Sequence, residues 1–300
     1  MIWFVERYMK MENIKIENEK KTEILLEALP YIKKFQGKVF VIKLGGSILC
    51  DNKNIKSIIE DVVFLNKIGI KTIIVHGGGK DINQELKVHN IEPKFVDGIR
   101  FTDDKTMEVV EMVLSGKVNK NLVAEVNNQG LYAVGFSGKE ANFIQAKKKE
   151  KLGNVGEIMS VDTKIINTLL ESGFMPVISP VCCDKNCKPL NVNADDVAVE
   201  VAKALKAEKL VFLTDIDGVF QDVNDKNSII SVILTKDIEK MIKNKIITGG
   251  MIPKIRSCRD AIQNGINAVH IVNGTTPHSM LLEIYTDKGV GTIIKMDNHL

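Results

Sequence analysis

The chain lacks the features that mark membrane proteins and nucleic-acid-binding proteins. No apolar run approaches the ~20 residues needed to cross a bilayer, and the opening stretch 1–5 is too short for a signal-peptide core. The formal net charge is only +3 over 300 residues and aromatic residues make up 5%, so no basic surface or stacking platform for nucleic acid is indicated. We expect a cytoplasmic protein that binds neither membranes nor nucleic acid, while a small anionic substrate is compatible with this composition.

Cysteine is also scarce. The chain contains five cysteines: Cys50, Cys182, Cys183, Cys187 and Cys258. An odd number cannot pair completely, so we expect reduced thiols rather than a disulfide framework. Cys182, Cys183 and Cys187 are close enough to suggest zinc, but no fourth ligand lies at zinc-finger spacing and 184–189 has the composition of a turn. We therefore expect no metal site there, and the role of these three residues is left open.

An alternation of short apolar runs with longer helical patterns begins at Lys38. With 44% hydrophobic and 26% charged residues, the chain can form one large domain or two moderate ones. The candidate strands are 39–42, 72–75, 131–136, 176–178, 210–213, 269–272 and 291–296. The candidate helices are 54–68, 103–127, 162–172, 195–207, 235–244, 254–264 and 278–286. This order predicts an α/β fold, an open and mainly parallel twisted sheet with helices on both faces.

The first 36 residues differ from the rest. They are charged and helical in tendency, with an apolar stripe at three-to-four spacing made of Ile24, Leu25, Ala28, Leu29, Ile32 and Phe35. Pro30 lies inside the stripe and removes a backbone donor, so the helix is expected to kink or to start anew there. We expect three regions: an amphipathic helix at 1–36, a lobe at 37–207 and a second lobe at 208–300.

Glycine runs follow two predicted strands. Lys43 is followed by Gly45 and Gly46, and the second run is the glycine triplet 77–79 ahead of a helix beginning near Asp81. Glycines let backbone amides approach a phosphate, and the following helix offers its positive end. An ordinary strand-to-helix turn with a snorkelling lysine explains one such run equally well, but two runs favour phosphate binding. Neither the Walker A sequence nor the GxGxxG fingerprint is present.

Two further segments combine charge with turn residues. Gly249 and Gly250 precede a helix whose early turn contains Lys254, and Asn191 precedes Asp195 in the sequence NVNAD. Taken singly, these features are also explained by a solvated lysine and by helix N-capping.

The ordered series KLGGS, HGGG, VDGIRFTDD, NVNAD, LTDIDGV and TGGMIPK resembles the motifs of the amino acid kinase superfamily over residues 37–300. VDGIRFT and NVNAD are similar to the acetylglutamate kinase branch. The resemblance implies transfer of phosphate from ATP, with Mg²⁺, to the side-chain carboxylate of N-acetyl-L-glutamate. The products would be N-acetylglutamyl 5-phosphate and ADP, in arginine biosynthesis. It also implies an acyl-substrate lobe at 37–207 that includes the dimer contact, and a nucleotide lobe at 208–300.

The same resemblance implies roles for individual residues. The catalytic set would be Lys43 and Lys254 on the ATP phosphates, with Asp195 holding both lysines. The acyl substrate would contact Gly78, Gly79, Arg100 and Asn191, with Arg100 on its α-carboxylate. The nucleotide would contact Lys43, Gly45, Gly46, Thr214, Asp215, Gly249, Gly250 and Lys254. One departure is Glu140-Ala141, where many members of the family carry Asp-Gly.

The N-terminal stripe and the segment 270–292 resemble the arginine-inhibited branch of the family. That resemblance implies a homo-oligomer, either a dimer or a hexamer built as a trimer of dimers. It also implies an L-arginine site at His270, Glu283 and Gly289. Taken singly, these three are as well explained by ordinary surface and turn positions, and the N-terminal helix by packing on its own subunit.

Two other functions are compatible with the sequence. One is acetylaminoadipate kinase of lysine biosynthesis, because one substrate methylene is worth only ~1 to 3 kcal/mol of discrimination. The other is a noncatalytic nucleotide-binding regulatory protein on the same fold.

Overall fold

The computed structural model describes residues 22–46, 48–286 and 289–297. Its strands are β1 (Val39–Leu44), β2 (Lys71–His76), β3 (Phe95–Val96), β4 (Ile99–Arg100), β5 (Ala133–Ser137), β6 (Ile144–Lys148), β7 (Gly156–Val161), β8 (Met175–Ser179), β9 (Val181–Cys183), β10 (Pro189–Asn191), β11 (Lys209–Thr214), β12 (Val232–Leu234), β13 (Ala268–Asn273) and β14 (Thr292–Lys295). Its helices are α1 (22–35), α2 (Asn52–Lys67), α3 (Gly79–Val88), α4 (Asp104–Glu111), α5 (Asn119–Asn128), α6 (Lys164–Glu171), α7 (Ala194–Ala204), α8 (Ile238–Lys243), α9 (Met251–Gln263) and α10 (Ser279–Tyr285). A π-helical segment, Met112–Val118, joins α4 to α5.

An eight-stranded sheet forms the centre of the molecule. Its order is β12-β14-β13-β11-β1-β2-β8-β5. All neighbouring strands are parallel except β13 and β14, so β14 and its parallel neighbour β12 run opposite to the others. The predicted mainly parallel sheet is confirmed, and all seven candidate strands lie in it. The helix predicted at 103–127 is interrupted by the π-helical segment.

Two hydrophobic clusters cover the two faces of this sheet. On β1, Val41 packs on the face covered by α6, α7, α8 and α9, whereas Phe40 and Ile42 pack on the face covered by α1–α5 and α10. Because side chains alternate along a strand, Lys43 points to the same face as Val41. The alternation therefore directs Lys43 toward α7 and α9.

A smaller sheet and a hairpin were not predicted. The second sheet has the order β10-β9-β6-β7, and β3 pairs with β4 as a two-stranded hairpin. Strands β3, β6 and β7 are largely exposed, and β9 and β10 are only three residues long, so these strands lack the longer continuous apolar runs by which the central strands were recognised. Ile144 and Ala146 on β6 are buried between exposed neighbours, an alternation that could have identified that strand.

The helix α1 packs on the body through its second half, where Ala28, Tyr31, Ile32 and Phe35 contact the core. Phe35 is buried, whereas Ile24, Leu25 and Leu26 are each more than 60% exposed. The helix continues across Pro30 without starting anew, and the predicted part at 1–21 lies outside the described residues. None of the described helices is both long and apolar enough to span a membrane.

Candidate active site

Two lysines converge on one carboxylate at the carboxyl end of β1. Lys43 Nζ lies 2.8 Å from Asp195 Oδ1, and Lys254 Nζ lies 3.2 Å from Asp195 Oδ2. Asp195 is in the first turn of α7, whose start is fixed because the Asn193 side chain accepts a hydrogen bond from the Asp195 N–H at 2.8 Å. Burial opposes ionisation of Asp195, but the two ammonium groups outweigh it and hold its pKa below the usual range. The predicted catalytic set is therefore assembled in space.

Lys254 has a second neighbour that sequence reasoning missed. It is in the first turn of α9, after Pro253, and its Nζ lies 5.0 Å from the centre of the Phe212 ring. Phe212 is on β11 and pairs in register with Lys43 on β1. A cation over an aromatic face gains electrostatic stabilisation, so the ring restricts where the Lys254 ammonium can lie.

The two glycine turns approach each other closely. A Cβ placed on Gly46 would lie 3.3 Å from the Gly79 nitrogen and 3.6 Å from the Gly78 nitrogen. Gly45 N–H donates to the Leu213 carbonyl oxygen at 2.9 Å, which ties its turn to β11. Gly79 is the first residue of α3, so backbone N–H groups of Gly78 and Gly79 lie at a helix start, where anions are stabilised. Ser47 of the first turn lies outside the described residues.

A cavity of about 230 Å³ lies beside these glycines and contains the predicted acyl-substrate residues. Arg100 is largely buried, and one guanidinium nitrogen donates to the Gly79 carbonyl oxygen at 3.2 Å. The other terminal nitrogen, Nη1, is buried without a hydrogen-bond partner within the described chain. An unsatisfied buried guanidinium nitrogen is costly, so this cavity suits a carboxylate. The guanidinium also lies 4.9 Å from the centre of the Phe95 ring, a contact not predicted.

Asn191 joins the same cavity from β10. Its side-chain nitrogen donates to Thr102 Oγ1 at 3.1 Å, and Thr102 donates to the Arg100 carbonyl oxygen at 3.0 Å. The chain of bonds links the two substrate residues that the motifs singled out, although 91 positions in the sequence separate them. Thr102 was not identified from the sequence.

Of the remaining residues predicted to contact the nucleotide, Thr214 and Asp215 lie at the carboxyl end of β11. Thr214 is the last residue of that strand, and its hydroxyl lies 3.3 Å from Asp215 Oδ1. Gly249 and Gly250 precede α9, and Gly249 has a φ of 54°. A Cβ on either glycine would meet open space, so Gly249 is favoured by its left-handed backbone rather than by a close approach.

The Glu140-Ala141 departure has a definite conformation. The Glu140 carboxylate accepts from the Ser137 N–H at 2.8 Å and from its hydroxyl at 2.5 Å. Ala141 has a φ of 53°, in the left-handed region where glycine is favoured. The loop therefore forms with alanine in a strained position.

The three predicted arginine-site residues share a cavity of about 300 Å³ beneath α1. His270 Nδ1 donates to Glu283 Oε1 at 2.7 Å, and Lys209 Nζ donates to His270 Nε2 at 2.6 Å. Glu283 Oε2 also accepts from the Val290 and Gly291 N–H groups at 2.9 and 2.8 Å. Glu283 was expected to be an exposed helical residue if it had no ligand role, but it is buried. Lys209 was not identified from the sequence.

The three clustered cysteines face different surroundings. Cys182 and Cys183 are buried on β9, and Cys187 is exposed in the turn that follows. The predicted turn at 184–189 is present, since Asp184 N–H donates to the Lys188 carbonyl oxygen at 3.0 Å. Over residues 22–46, 48–286 and 289–297, no group of three or more His, Cys, Asp or Glu side chains is arranged to hold a metal ion.

The sequence profile of the amino acid kinase family matches residues 38–273. The chain therefore belongs to the amino acid kinase family.

Relatives within the family share one name. The acetylglutamate kinase of Alkaliphilus metalliredigens (strain QYMF) is 48% identical over 275 residues, which cover 91% of this chain and 87% of that protein. The acetylglutamate kinase of Methanococcus vannielii is 46% identical over 294 residues, 94% of this chain and 100% of that protein. The resemblance drawn from the motifs is thereby confirmed.

Solved structures share the fold at lower identity. N-acetylglutamate synthase from Neisseria gonorrhoeae, complexed with coenzyme A and N-acetyl-glutamate, has a TM-score of 0.81 at 24% identity and covers 93% of this chain. This chain spans 64% of the synthase chain. The same synthase complexed with coenzyme A and L-arginine has a TM-score of 0.77 at 22% identity. At this level of identity the comparison concerns the fold alone.

Proposed function

We propose that the chain is an ATP-dependent kinase that phosphorylates the side-chain carboxylate of N-acetyl-L-glutamate, giving N-acetylglutamyl 5-phosphate and ADP in arginine biosynthesis. The observation that carries the proposal is the contact of Lys43 and Lys254 with the single carboxylate of Asp195. That contact lies next to a cavity containing the unsatisfied Arg100 guanidinium. Relatives named acetylglutamate kinase at 44–48% identity support it. In this assignment, 37–207 is the acyl-substrate lobe and 208–300 the nucleotide lobe.

The chemistry is an in-line displacement. A side-chain carboxylate oxygen of acetylglutamate forms a bond to the γ-phosphorus of ATP, and the bond from that phosphorus to the β–γ bridging oxygen breaks, so ADP leaves. Lys43 and Lys254 offset the charge that spreads over the transferring group, while Asp195 holds both ammonium groups in place. The Gly46, Gly78 and Gly79 N–H groups donate to phosphoryl oxygens, whereas the Gly45 N–H is used by the Leu213 carbonyl oxygen and holds its turn in place.

The acyl substrate is held by its other groups. Arg100 pairs with the α-carboxylate through its free Nη1, and Asn191 binds the acetylamino group. Thr214, Asp215, Gly249 and Gly250 hold the nucleotide. The Asp195 carboxylate is already paired with two lysines, which fits a Mg²⁺ ion carried largely by phosphate oxygens and water. That ion would neutralise phosphate charge.

Hydroxamate formation tests this function directly. With ATP, acetylglutamate and hydroxylamine, the acyl phosphate should be trapped as a hydroxamate, and omission of any one component should abolish the signal. An equal or faster reaction with acetylaminoadipate would favour the longer substrate. Purified protein that binds ATP and forms no hydroxamate would favour a regulatory protein.

We also propose that the chain assembles through α1 and is inhibited by L-arginine. The exposed apolar residues Ile24, Leu25 and Leu26 need a partner surface. In the cavity beneath α1, Glu283 would accept from the guanidinium, while His270 and the backbone near Gly289 would line the site. The solved complex of the gonococcal synthase with L-arginine makes such a ligand reasonable for this fold.

Deletion of residues 1–34 tests both parts of that proposal. The full chain should be a hexamer by light scattering, and its activity should fall on titration with L-arginine. The deleted chain should be an active, arginine-insensitive dimer. A full-length dimer contradicts the assembly, and a deleted chain inhibited as strongly as the full one contradicts the arginine site.

A further inference from the structure

A buried hydrogen-bond network lies behind the glycine turn at 77–79. His76 is the last residue of β2 and Asn119 the first residue of α5, and both are fully buried. His76 Nδ1 lies 2.9 Å from the Gly77 carbonyl oxygen, and His76 Nε2 lies 3.1 Å from the Asn119 side-chain nitrogen. That nitrogen also donates to the Val177 carbonyl oxygen at 2.9 Å. Burial of two polar side chains is costly unless each is hydrogen-bonded, and here both are.

The network determines which imidazole nitrogen carries the proton. The Val177 carbonyl oxygen can only accept, so the Asn119 nitrogen must face it, and the Asn119 oxygen accepts from Lys120 Nζ at 3.1 Å. The second hydrogen of the Asn119 nitrogen then points at His76 Nε2, which must accept. The proton is therefore on Nδ1, which donates to Gly77. Burial, assisted by nearby lysine charges, lowers the pKa of His76 to about 4, so the ring is neutral at physiological pH.

This hydrogen bond orients a backbone amide of the candidate active site. The C=O and N–H groups of a planar trans peptide point in opposite directions. Because the Gly77 carbonyl is directed to His76, the Gly78 N–H is directed away from it, and the Gly78 nitrogen borders Gly46 of the other turn. Within the described part of the chain, no acceptor is found for the N–H of Gly78 or Gly79.

The π-helical segment Met112–Val118 carries Asn119 to this position. The Asn119 N–H closes the segment on the Leu114 carbonyl oxygen, and a Cβ on Gly78 would lie 2.6 Å from Leu114 Cδ2. Gly135 leaves the space that Asn119 occupies, since a Cβ there would lie 2.1 Å from Asn119 Oδ1. Segments of π-helix are rare overall, but they occur frequently at functional sites. Here the additional residue redirects the side chains that follow, including that of Asn119.

We propose that His76 and Asn119 are positioning residues for phosphoryl transfer. Asn119 holds His76 as the Nδ1–H tautomer, and His76 holds the Gly77–Gly78 peptide so that the Gly78 N–H faces the transferring group. The statement that the Gly78 N–H binds the transferring group rests on the proposed function, whereas the tautomer of His76 follows from the hydrogen-bond geometry alone.

Two substitutions of His76 separate its two hydrogen bonds. The amide nitrogen of asparagine falls near the position of Nδ1, and that of glutamine near the position of Nε2. His76→Asn keeps the donor to Gly77, so kcat should stay within about threefold of the wild type. His76→Gln loses that donor, so kcat should fall about 10- to 100-fold. This loss is no larger than that expected for removing one donor to a developing charge. His89→Gln, at the exposed end of α3, is the control and should match the wild type. Wild-type kcat in His76→Gln, or equal losses in both His76 variants, would overturn the proposal.

Nitrogen chemical shifts of isotope-labelled histidine give a readout independent of activity. In the full-length protein without ligand, the His76 signal, assigned by its loss in His76→Gln, should show a protonated Nδ1 and an unprotonated Nε2. Asn119→Asp should place a proton on Nε2, because a carboxylate only accepts, while Nδ1 still faces the Gly77 carbonyl oxygen and keeps its own proton. An Nε2–H tautomer in the wild type overturns the network even if the enzyme is active. Inactive wild type with the Nδ1–H tautomer supports the network and overturns the proposed function.

Discussion

Two regions of the molecule join lysine to a carboxylate in different ways. In the candidate active site, Lys43 and Lys254 each contact Asp195 directly, at 2.8 and 3.2 Å, and all three side chains are 12–23% exposed. Beneath α1, the His270 imidazole lies between Lys209 and Glu283, with contacts of 2.6 and 2.7 Å. The histidine and glutamate side chains there are only 2% and 4% exposed.

The difference between the two regions is one of net charge. Two ammonium groups on one carboxylate leave an excess positive charge beside the glycine turns, which favours an anionic ligand. Under α1, the charge of one ammonium group balances that of one carboxylate, and the imidazole between them is neutral. Burial lowers the pKa of Lys209 to about 8, although the Glu283 charge opposes this shift. The same residue types thus make an anion-attracting site in one place and a balanced buried cluster in the other.

The largest expected effect is on turnover. Lys43→Ala and Lys254→Ala should each lower kcat by at least ~100-fold, the scale for losing one preorganised electrostatic donor. Hydroxamate formation measures this, and circular dichroism shows whether the variant is folded. Lys147→Ala, which removes an exposed lysine paired with Glu157, is the control. A folded Lys43 or Lys254 variant with near-normal kcat would remove that lysine from the mechanism.

The buried cluster should appear instead in the pH dependence of stability. Burial, followed by the charge of Lys209, lowers the pKa of His270 from 6.5 to about 4. Between these pH values His270 binds more protons in the unfolded chain than in the folded one, so its contribution to the free energy of unfolding falls as pH falls. The full loss for one such group is about 3 kcal/mol. Denaturant unfolding from pH 6.5 to 4 measures this loss.

His76 changes the pH dependence of stability in the same direction, so the test compares how steeply the free energy of unfolding depends on pH in the wild type and in each variant. The free energy of unfolding of His270→Asn should depend less steeply on pH than that of the wild type, whereas exposed His89→Asn should keep the wild-type slope. Asp195 should contribute little in this window, because its pKa is lowered and the stability it provides is lost only as pH falls below the ordinary aspartate value of 3.8. Equal slopes for the wild type and His270→Asn would contradict the neutral buried imidazole.

A smaller effect is expected where the candidate site meets its acyl substrate. Arg100→Lys keeps the charge but loses the planar fork, so the KM for acetylglutamate should rise about tenfold, as expected for one charged hydrogen bond. The KM for ATP should change little. Arg259→Lys, at an exposed pair with Glu239, serves as the matched control. A selective loss of ATP affinity would refute the assignment of Arg100.

The smallest effect lies outside both regions. Ala141→Gly should remove the strain of a left-handed alanine, which costs about 1 to 2 kcal/mol. Glycine also gives the unfolded chain more conformational freedom, which offsets about 0.4 to 1 kcal/mol of that gain in stability. We expect a gain of about 0.5 kcal/mol in the free energy of unfolding by denaturant titration, with kcat unchanged. Destabilisation would show that Ala141 is not strained in solution.

The sequence predicted seven of the eight strands of the central sheet because each contains a continuous apolar run, but it did not predict the three-residue edge strand β12. It also identified Lys43, Asp195 and Lys254, since each follows or precedes a recognisable turn. It missed the second sheet and the hairpin of β3 and β4, because β3, β6 and β7 are largely exposed and β9 and β10 are only three residues long. It also missed Phe95, Phe212 and Thr102, because their contacts join residues far apart along the chain.

The sequence by itself determined seven strands of the central sheet, most of the helices, the glycine turns and the family, because these depend on local composition and on motifs read in order. Only the tertiary structure decided how far Asp195 lies from each lysine and which ring nitrogen of His76 carries the proton. It alone also showed that Glu283 is buried rather than exposed. These properties depend on side chains from separate elements meeting across a packed sheet, where a shift of one residue in register would turn each side chain to the other face.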